Sequence, residues 1–178
     1  MRLFIIGYMA SGKSTFGRAL AEKTGQPFID LDEYIEEQTL QSISQIFQEK
    51  GEETFRRLER EMLERVVQQH SDAVIACGGG TPCFLQNMDY LNDKGVTVFI
   101  ETSTPRLISR LQEESENRPV MAGKTDDEIR DKVLQQLCDR LPDYMKAKLK
   151  WHGDDLEDEE QIRENVDTFV SSYPSLFR

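Results

Sequence analysis

The sequence predicts an α/β fold in which helices cover both faces of a parallel β-sheet. Short apolar runs alternate along the chain with segments whose apolar residues recur at helical spacing, and such alternation is typical of parallel sheets. A length of 178 residues, 38% of them hydrophobic and 31% charged, suits one soluble domain with an apolar core. We therefore expect a central five-stranded sheet with ligands bound at the carboxyl ends of its strands.

The elements follow from the apolar pattern in chain order. Strands are predicted at residues 3–6, 27–29, 73–77, 96–100 and, more weakly, 149–152. Helices are predicted at residues 14–23, from 33 onward, from a cap at Ser42 to near Gly51, and at 52–69, 104–111, 126–138 and 158–172. The helix at 52–69 has the clearest pattern, because an apolar residue recurs every three or four positions along one face.

Residues 112–124 break this alternation. The segment QEESENRPVMAGK is polar and aperiodic, and it contains Pro119 and Gly123. It reads equally well as a solvated surface loop or as an active-site lid, because long structureless segments in compact domains are often functional.

The charge and the cysteines exclude several function classes. The formal charge of −11 disfavours nonspecific binding to nucleic acid or to membrane surfaces. No apolar run approaches the roughly 18 residues of a membrane span, and the run at residues 3–6 is too short for a signal peptide. Cys77, Cys83 and Cys138 cannot all pair and match no zinc-binding spacing. We expect a cytoplasmic protein with reduced thiols.

A phosphate-binding loop follows the first predicted strand. Residues 7–14, GYMASGKS, fit the pattern G-x-x-x-x-G-K-[ST]. Gly7 and Gly12 allow backbone N–H groups to surround phosphate oxygens. Lys13 suits the β- and γ-phosphates, and the Ser14 hydroxyl is a hard oxygen ligand for Mg²⁺. The helix that follows directs its positive end at the same anion. The sequence therefore predicts binding of an ATP-type nucleotide.

Two carboxylates end the second predicted strand. On an extended segment, Asp30 and Asp32 would lie on the same side. Beside a triphosphate, one of them could hold the Mg²⁺ hydration shell and the other could orient an acceptor hydroxyl and take its proton. The alternative is that both are helix N-caps.

Three further features stay ambiguous from the residues alone. Arg56 and Glu59 lie one turn apart and could form a surface ion pair worth about 0.2–0.5 kcal/mol. The triplet Gly78-Gly79-Gly80 follows the third strand and could be either a close approach to a ligand or a loose turn. Arg140 is unremarkable by sequence alone.

Five ordered segments resemble the shikimate kinases, which belong to the nucleoside-monophosphate-kinase-like P-loop family. The resemblance runs from residue 3 to about 150. The five segments are GYMASGKSTFGRALA, FIDLDEYIEE with SISQIFQEKGEETFRRLERE, CGGGT, NRPVM and DRLPDYMKA. The resemblance implies a three-layer P-loop kinase fold over residues 1–178, with substrate-binding helices at about 31–69 and a lid at about 112–124.

The resemblance also implies a nucleotide and metal site. Lys13 would contact phosphate, while Ser14 and Asp30 would serve Mg²⁺, Asp30 through water. Arg118 would enter with the lid and stabilise charge on the transferring phosphoryl group, and Arg110 would lie near adenine. The implied nucleotide-binding set is Ala10, Ser11, Gly12, Lys13, Ser14, Thr15, Arg110 and Arg118.

For the second substrate the resemblance implies a site for shikimate. Asp32 would bind the hydroxyls of shikimate and act as the base, so that Asp32, Lys13 and Arg118 form the implied catalytic set. Arg56 and Arg140 would pair with the carboxylate of shikimate, for which a planar guanidinium is well suited. The glycine backbone would hold the same substrate, Glu59 would fix Arg56, and apolar walls would come from Phe47 and Phe55. The implied substrate-binding set is Asp32, Arg56, Gly78, Gly79, Gly80 and Arg140.

Two departures from the family pattern concern backbone positions. Ala10-Ser11 stands where the family usually has Gly-Ala, and Leu40 replaces a frequent glycine. Neither change removes a catalytic group.

The expected activity is phosphoryl transfer from ATP to shikimate by a monomer that binds neither nucleic acid nor membrane. The alternatives are a related kinase acting on gluconate or a nucleoside monophosphate, and a noncatalytic nucleotide-binding module. The retained Asp32 and Arg118 argue against the noncatalytic alternative, because a binding module needs neither a base nor a transition-state arginine.

Overall fold

The computed structural model describes residues 1–113 and 125–177. Its strands are β1 (Arg2–Ile6), β2 (Phe28–Asp30), β3 (Ala73–Ala76), β4 (Val96–Glu101) and β5 (Leu149–His152). Its α-helices over these residues are α1 (Lys13–Thr24), α2 (Leu31–Thr39), α3 (Ile43–Gln69), α4 (Asn87–Lys94), α5 (Thr104–Glu113), α6 (Asp126–Tyr144) and α7 (Glu159–Ser172). Short 3-10 helices lie at Thr81–Cys83 and Pro174–Phe177.

The five strands form one parallel sheet in the order β2-β3-β1-β4-β5. All five predicted strands are therefore confirmed, and each predicted end lies within one residue of the observed one. The sequence prediction missed α4, a helix of only eight residues. Its short length leaves about two turns of periodicity, which is too little for the apolar pattern to stand out.

Alternation along β1 divides the core into two layers. Leu3 and Ile5 face one side of the sheet, where they pack with residues of α1 and α7. Phe4 and Ile6 face the other side, where the core draws on α2, α3, α4, α5 and α6. All four side chains are fully buried. The helices on both faces confirm the expected three-layer architecture.

Helix α3 is two helical pieces that meet at Gly51. This glycine has φ 77° and ψ 168°, which is not helical, while the residues on both sides are. Ser42 caps the first piece through a hydrogen bond from the backbone N–H of Gln45, and the Gln45 side chain completes a capping box. The predicted division near Gly51 is therefore confirmed.

The strand order brings three predicted ligand-binding segments to one edge of the sheet. β2, β3 and β1 are neighbours; β2 ends at Asp30, and the carboxyl ends of β3 and β1 lead into the glycine triplet and the phosphate loop. Gln112 and Glu113, which were predicted to be irregular, are the last residues of α5. The rest of that predicted lid, residues 114–124, lies outside the described residues. Within the described part of the chain, no helix is both long and apolar enough to cross a membrane.

Candidate active site

The phosphate loop connects β1 to α1 and has the backbone that its glycines predict. Gly7 adopts φ 150°, and a Cβ at this position would lie 2.7 Å from the carbonyl oxygen of Ile100. Gly12 adopts φ 91° as the N-cap of α1. A side chain at either position would meet both strain and a neighbouring atom. The loop ends at the N-terminus of α1, where backbone N–H groups that have no partner within the helix point outward.

Ala10 occupies a left-handed backbone conformation, with φ 59°. Glycine adopts this conformation without a Cβ penalty, whereas alanine carries strain on the order of 1 kcal/mol. This explains in physical terms why a glycine suits the position. The neighbouring Ser11 is buried, does not line the cavity described below, and has a hydroxyl without a hydrogen-bond partner among the described residues.

Ser14 and Asp30 form a pair of hard oxygen donors. The Ser14 hydroxyl donates a hydrogen bond of 2.6 Å to Oδ2 of Asp30. The other carboxylate oxygen, Oδ1, accepts from the backbone N–H groups of Asp32 and Glu33 at 3.0 and 3.4 Å. Asp30 is thus the N-cap of α2 and faces the phosphate loop as well, so the two interpretations of this residue are compatible.

Asp32 lies in the first turn of α2 and not on an extended segment. The expected alternation along a strand was therefore wrong, because β2 already ends at Asp30. Asp30 and Asp32 nevertheless line the same cavity. Burial, together with the charges of Asp30 and Glu59, raises the pKa of Asp32 to about 7, against the opposing effect of Lys13 and Arg56.

A cavity of about 340 Å³ contains most of the predicted nucleotide and metal residues. The predicted residues that line it are Ala10, Gly12, Lys13, Ser14, Thr15, Asp30, Asp32, Gly79 and Arg110. Its wall also includes Met9, Cys77, Glu113, Leu156 and Glu157. The Lys13 ammonium donates to the carbonyl of Tyr8 at 2.7 Å, which holds the long side chain over the loop.

Arg56 is enclosed by carboxylates and aromatic rings. Its NH1 donates to Oε2 of Glu59 at 2.9 Å, and its Nε and NH2 donate to Glu52 at 3.3 and 3.1 Å. The guanidinium carbon lies 4.1 Å from the ring centre of Phe84 and 5.1 Å from that of Phe55. Because the side chain of Glu59 is only 1% exposed, the surface ion pair considered for these residues is wrong.

The same guanidinium lies against the glycine triplet. A Cβ on Gly80 would be 2.5 Å from NH2 of Arg56, and a Cβ on Gly78 would be 2.7 Å from Oδ1 of Asp32. Phe47 stacks near Phe55, with ring centres 4.5 Å apart, and also faces the guanidinium. The glycines therefore let the backbone approach Asp32 and Arg56 more closely than any side chain would allow.

Arg140 reaches the triplet from α6. Its NH1 would lie 3.5 Å from a Cβ on Gly79, and its guanidinium faces the ring of Tyr8 at 5.5 Å. The buried hydroxyl of Tyr144 donates to the carbonyl of Gly79 and interacts with Arg140. The structure thus brings Arg56 and Arg140 to adjacent glycines, although they lie on different helices.

Arg110 connects the phosphate loop to the segment after β5. It donates to the carbonyls of Ala10, Gly153 and Asp154 at 3.1, 3.0 and 3.2 Å, and to the Glu157 carboxylate at 2.6 Å. This places Arg110 on the cavity wall and gives it a bracing role that the sequence did not suggest, whereas its predicted position near adenine stays a prediction. Arg118 lies outside the described residues.

The sequence prediction missed three side chains of this site, namely the buried Thr81 and Tyr144 and the partly buried Phe84. Thr81 donates to Oε1 of Glu59 at 2.6 Å, whereas Phe84 and Tyr144 contact Arg56 and Gly79 as described above. The partners of Thr81 and Tyr144 are 22 and 65 positions away in sequence. The available signal was their position within or beside the CGGGT and DRLPDYMKA segments.

Ser14 and Asp30 fit a magnesium ion in chemical type. Mg²⁺ prefers hard oxygen ligands, binds through one or two protein groups, and takes its remaining ligands from phosphates and water. Within residues 1–113 and 125–177, no group of three His, Cys, Asp or Glu side chains is arranged to hold a metal. The pair therefore resembles a site completed by a nucleotide and not a cage made of protein side chains alone.

Comparisons with known proteins agree on one family. The family model described as shikimate kinase matches residues 9–170. A shikimate kinase from Phocaeicola vulgatus is 46% identical over 167 residues, which cover 94% of this chain and 95% of the relative.

Solved structures give the same result. The crystal structure of shikimate kinase from Bacteroides thetaiotaomicron has a TM-score of 0.89 and 40% sequence identity, and the match covers 98% of both chains. The structure of shikimate kinase from Acinetobacter baumannii in complex with shikimate has a TM-score of 0.80 and 27% identity, with 98% of this chain and 93% of that chain covered.

Proposed function

The chain belongs to the shikimate kinase family, and from this premise we propose that its cavity binds ATP beside shikimate and transfers the γ-phosphoryl group to the 3-hydroxyl. The products are ADP and 3-phosphoshikimate, an intermediate on the route to chorismate and the aromatic amino acids. One observation carries the assignment of residues. Asp32 lies between the phosphate loop and the glycine triplet against which Arg56 and Arg140 are held.

ATP binds through its phosphates at the loop. The backbone of residues 10–15 and the Lys13 ammonium would surround the phosphate oxygens, while Arg110 would lie toward the adenine. Ser14 and Asp30 would hold Mg²⁺, which supplies positive charge that neutralises the phosphates when it is bound. The hydrogen bond between Ser14 and Asp30 supports this assignment, because it already holds both oxygens at one point of the cavity.

Shikimate binds at the far side of Asp32. Arg56 and Arg140 pair with its carboxylate, and the open backbone of Gly78–Gly80 accommodates the ring. Phe47 and Phe55 form apolar walls beside Arg56. Two guanidinium groups favour an acceptor that carries a carboxylate, and the nearby Asp32 favours one that also carries a hydroxyl.

Asp32 takes the proton of the acceptor hydroxyl. As the hydroxyl oxygen forms its bond to the γ-phosphorus, the bond from that phosphorus to the bridging oxygen breaks, and ADP leaves with the electron pair. A carboxyl with a pKa near 7 suits a general base at neutral pH. Lys13 stabilises charge on the phosphoryl group, and Arg118 is proposed to do the same on the resemblance of its segment alone.

We propose the following for the chain as a whole. It is a single kinase domain over residues 1–178, with substrate-binding helices at about 31–69 and a lid at about 112–124. It acts as a cytoplasmic monomer on small molecules and binds neither nucleic acid nor membrane. The formal charge of −11 supports the exclusion of polyanions.

An ADP-release assay with Mg²⁺ and ATP tests the function. Shikimate, gluconate and a nucleoside monophosphate are compared as acceptors at matched concentrations. We expect ADP release with shikimate to exceed release with either other acceptor at least 100-fold. Preference for gluconate or the nucleotide would identify a related kinase. Nucleotide binding without ADP release in any reaction would identify a noncatalytic module.

A further inference from the structure

We propose that Thr81 is a positioning residue for shikimate binding. Its hydroxyl acts on the Glu59 carboxylate, and through this carboxylate on the guanidinium of Arg56. Thr81 follows the glycine triplet directly and is fully buried. The inference rests on the proposed function, in which Arg56 pairs with the carboxylate of the acceptor.

The two oxygens of Glu59 have different partners. Oε2 accepts from NH1 of Arg56 at 2.9 Å, and Oε1 accepts from the Thr81 hydroxyl at 2.6 Å. Glu59 is 1% exposed and Thr81 is 0% exposed. In this buried setting no water replaces a lost donor at low cost, and hydrogen bonds to a charged group are stronger than neutral ones. The Thr81 hydroxyl therefore fixes the rotation of the Glu59 carboxylate.

Thr81 is itself held from two sides. Its backbone N–H donates to the carbonyl of Gly78 at 3.1 Å. Its own carbonyl accepts from the Asn87 amide at 2.9 Å, and the amide oxygen of Asn87 accepts from Arg60 at 2.8 Å. Arg60 lies on α3, one turn after Arg56. The connection between Thr81 and Glu59 thus belongs to a closed set of contacts that joins α3, the glycine segment and α4.

Arg56 needs this support because a second carboxylate competes for it. Glu52 accepts from Nε and NH2 of Arg56, and the side chain of Glu52 is 56% exposed. Glu59 holds the guanidinium from the buried side, against the backbone of Gly80. A Glu59 carboxylate free to turn would let Arg56 follow Glu52 toward solvent. The Thr81 hydroxyl prevents this and keeps the guanidinium facing the proposed substrate site.

The test replaces Thr81 by Val, which keeps the shape of the side chain and removes the hydroxyl. We expect Thr81→Val to raise the KM for shikimate about tenfold, to leave the KM for ATP within twofold of wild type, and to lower kcat less than threefold. Thr81→Ser retains a hydroxyl and should return the KM for shikimate to within threefold of wild type.

Thr97→Val is the matched control. Thr97 is also fully buried, and its hydroxyl donates to the Asn92 side chain at 2.6 Å, in β4 and away from Arg56. We expect this variant to lose thermal stability and to keep the wild-type KM for shikimate. An equal rise of this KM in Thr97→Val, or a parallel rise of the KM for ATP in Thr81→Val, would overturn the inference, because either result indicates general loosening of the structure.

A double-mutant cycle tests whether the effect runs through Arg56. In the Arg56→Ala background, Thr81→Val should change kcat/KM for shikimate less than twofold, because the group that it positions is gone. An additive tenfold loss would overturn the inference.

If Thr81→Val does not fold, the comparison of Thr81→Ser with Thr81→Ala decides, and equal KM values for shikimate in these two variants count against the inference. Wild-type protein that releases no ADP with shikimate would refute the proposed function itself, whereas an active wild type with an unchanged Thr81→Val refutes only the role of Thr81.

Discussion

Asp30 and Asp32 are separated by one residue, yet their carboxylates have different surroundings. Asp30 caps α2 with one oxygen and accepts the Ser14 hydroxyl with the other. The environment of Asp32 favours the protonated form, because burial and the neighbouring carboxylates raise its pKa to about 7. Different surroundings suit them to the separate tasks proposed above, one beside Mg²⁺ and one at the acceptor hydroxyl.

The first prediction concerns the chemistry of Asp32. Asp32→Asn keeps the shape of the side chain and removes the proton acceptor, so we expect phosphoryl transfer to fall at least 1,000-fold, on the order expected for loss of a general base. ATP binding, measured by isothermal titration calorimetry, should persist, because Lys13 and the loop backbone are unchanged. Near-normal turnover in this variant would remove Asp32 from the role of base.

The same substitution has a predictable effect on stability. The pKa of Asp32 rises from 3.8 to about 7 on folding, so its ionisation destabilises the folded state progressively as the pH rises through this interval. Asp32→Asn should therefore be more stable than wild type at pH 8, and its advantage should be larger there than at pH 5.5 by on the order of 2 kcal/mol.

Urea unfolding at both pH values, in buffer containing a metal chelator, measures this difference. The chelator matters because a bound cation would lower the pKa of nearby carboxyls. An advantage that does not change with pH would contradict the assigned pKa shift.

At the scale of elements, the residues that follow two of the helices adopt the same left-handed backbone conformation, but only one of them is a residue type that favours it. The residue after α1 is Gly25, with φ 67°, and the residue after α2 is Leu40, with φ 54°. Both adopt the left-handed conformation that commonly ends a helix. Leu40 is 90% exposed, so little packing compensates its backbone strain.

A reciprocal pair of substitutions tests this point. Leu40→Gly should raise the free energy of unfolding by about 0.5 kcal/mol, because relief of strain exceeds the added entropy of the unfolded chain. Gly25→Ala should lower it by about 1 kcal/mol, and no atom lies within 4 Å of the added Cβ, so the cost comes from the backbone alone. Both variants should keep wild-type ADP release. Urea unfolding with unchanged m-values measures both effects, and destabilisation by Leu40→Gly would show that the leucine contributes packing.

At the scale of the whole molecule, the acidic charge is unevenly distributed. Residues 151–178 carry a net charge of −6 out of the total of −11. Several of these acids have specific partners, since Glu157 pairs with Arg110, Asp158 caps α7 and Asp167 pairs with Lys23. At least one of these carboxylates therefore has a structural role, because Glu157 helps to form the wall of the nucleotide cavity.

The global charge leads to a prediction about association. We expect sedimentation equilibrium in physiological salt to give a mass of 20.6 kDa, that of one chain. The same protein should not bind duplex DNA or vesicles of anionic lipid under conditions in which it binds ATP, because its net charge repels polyanions. A mass of twice this value, or binding to either polyanion that is stable in salt, would contradict the proposal.

The strands, the phosphate loop and the position of the glycine triplet after the third strand could be predicted from the sequence alone, because each depends on neighbours within a few positions. A buried strand is recognised by its apolar run, and the loop by the spacing of Gly7, Gly12 and Lys13. The arginine assignments came from resemblance, since nothing local to Arg56 or Arg140 distinguishes it from a solvated helix residue. The short helix α4 left too little periodicity to be found.

The surroundings of the two arginines depend on how distant segments of the chain pack together. Arg56 becomes buried because α3 packs beside the segment after β3, which brings Thr81 to Glu59 from 22 positions away. Arg140 meets the same segment because Tyr144 on α6 reaches Gly79 across 65 positions. Burial and long-range hydrogen bonds arise when distant segments pack, and the energy of an ion pair depends on that burial. For this reason the sequence could identify the chemical groups of the site but not the contacts that hold them in place.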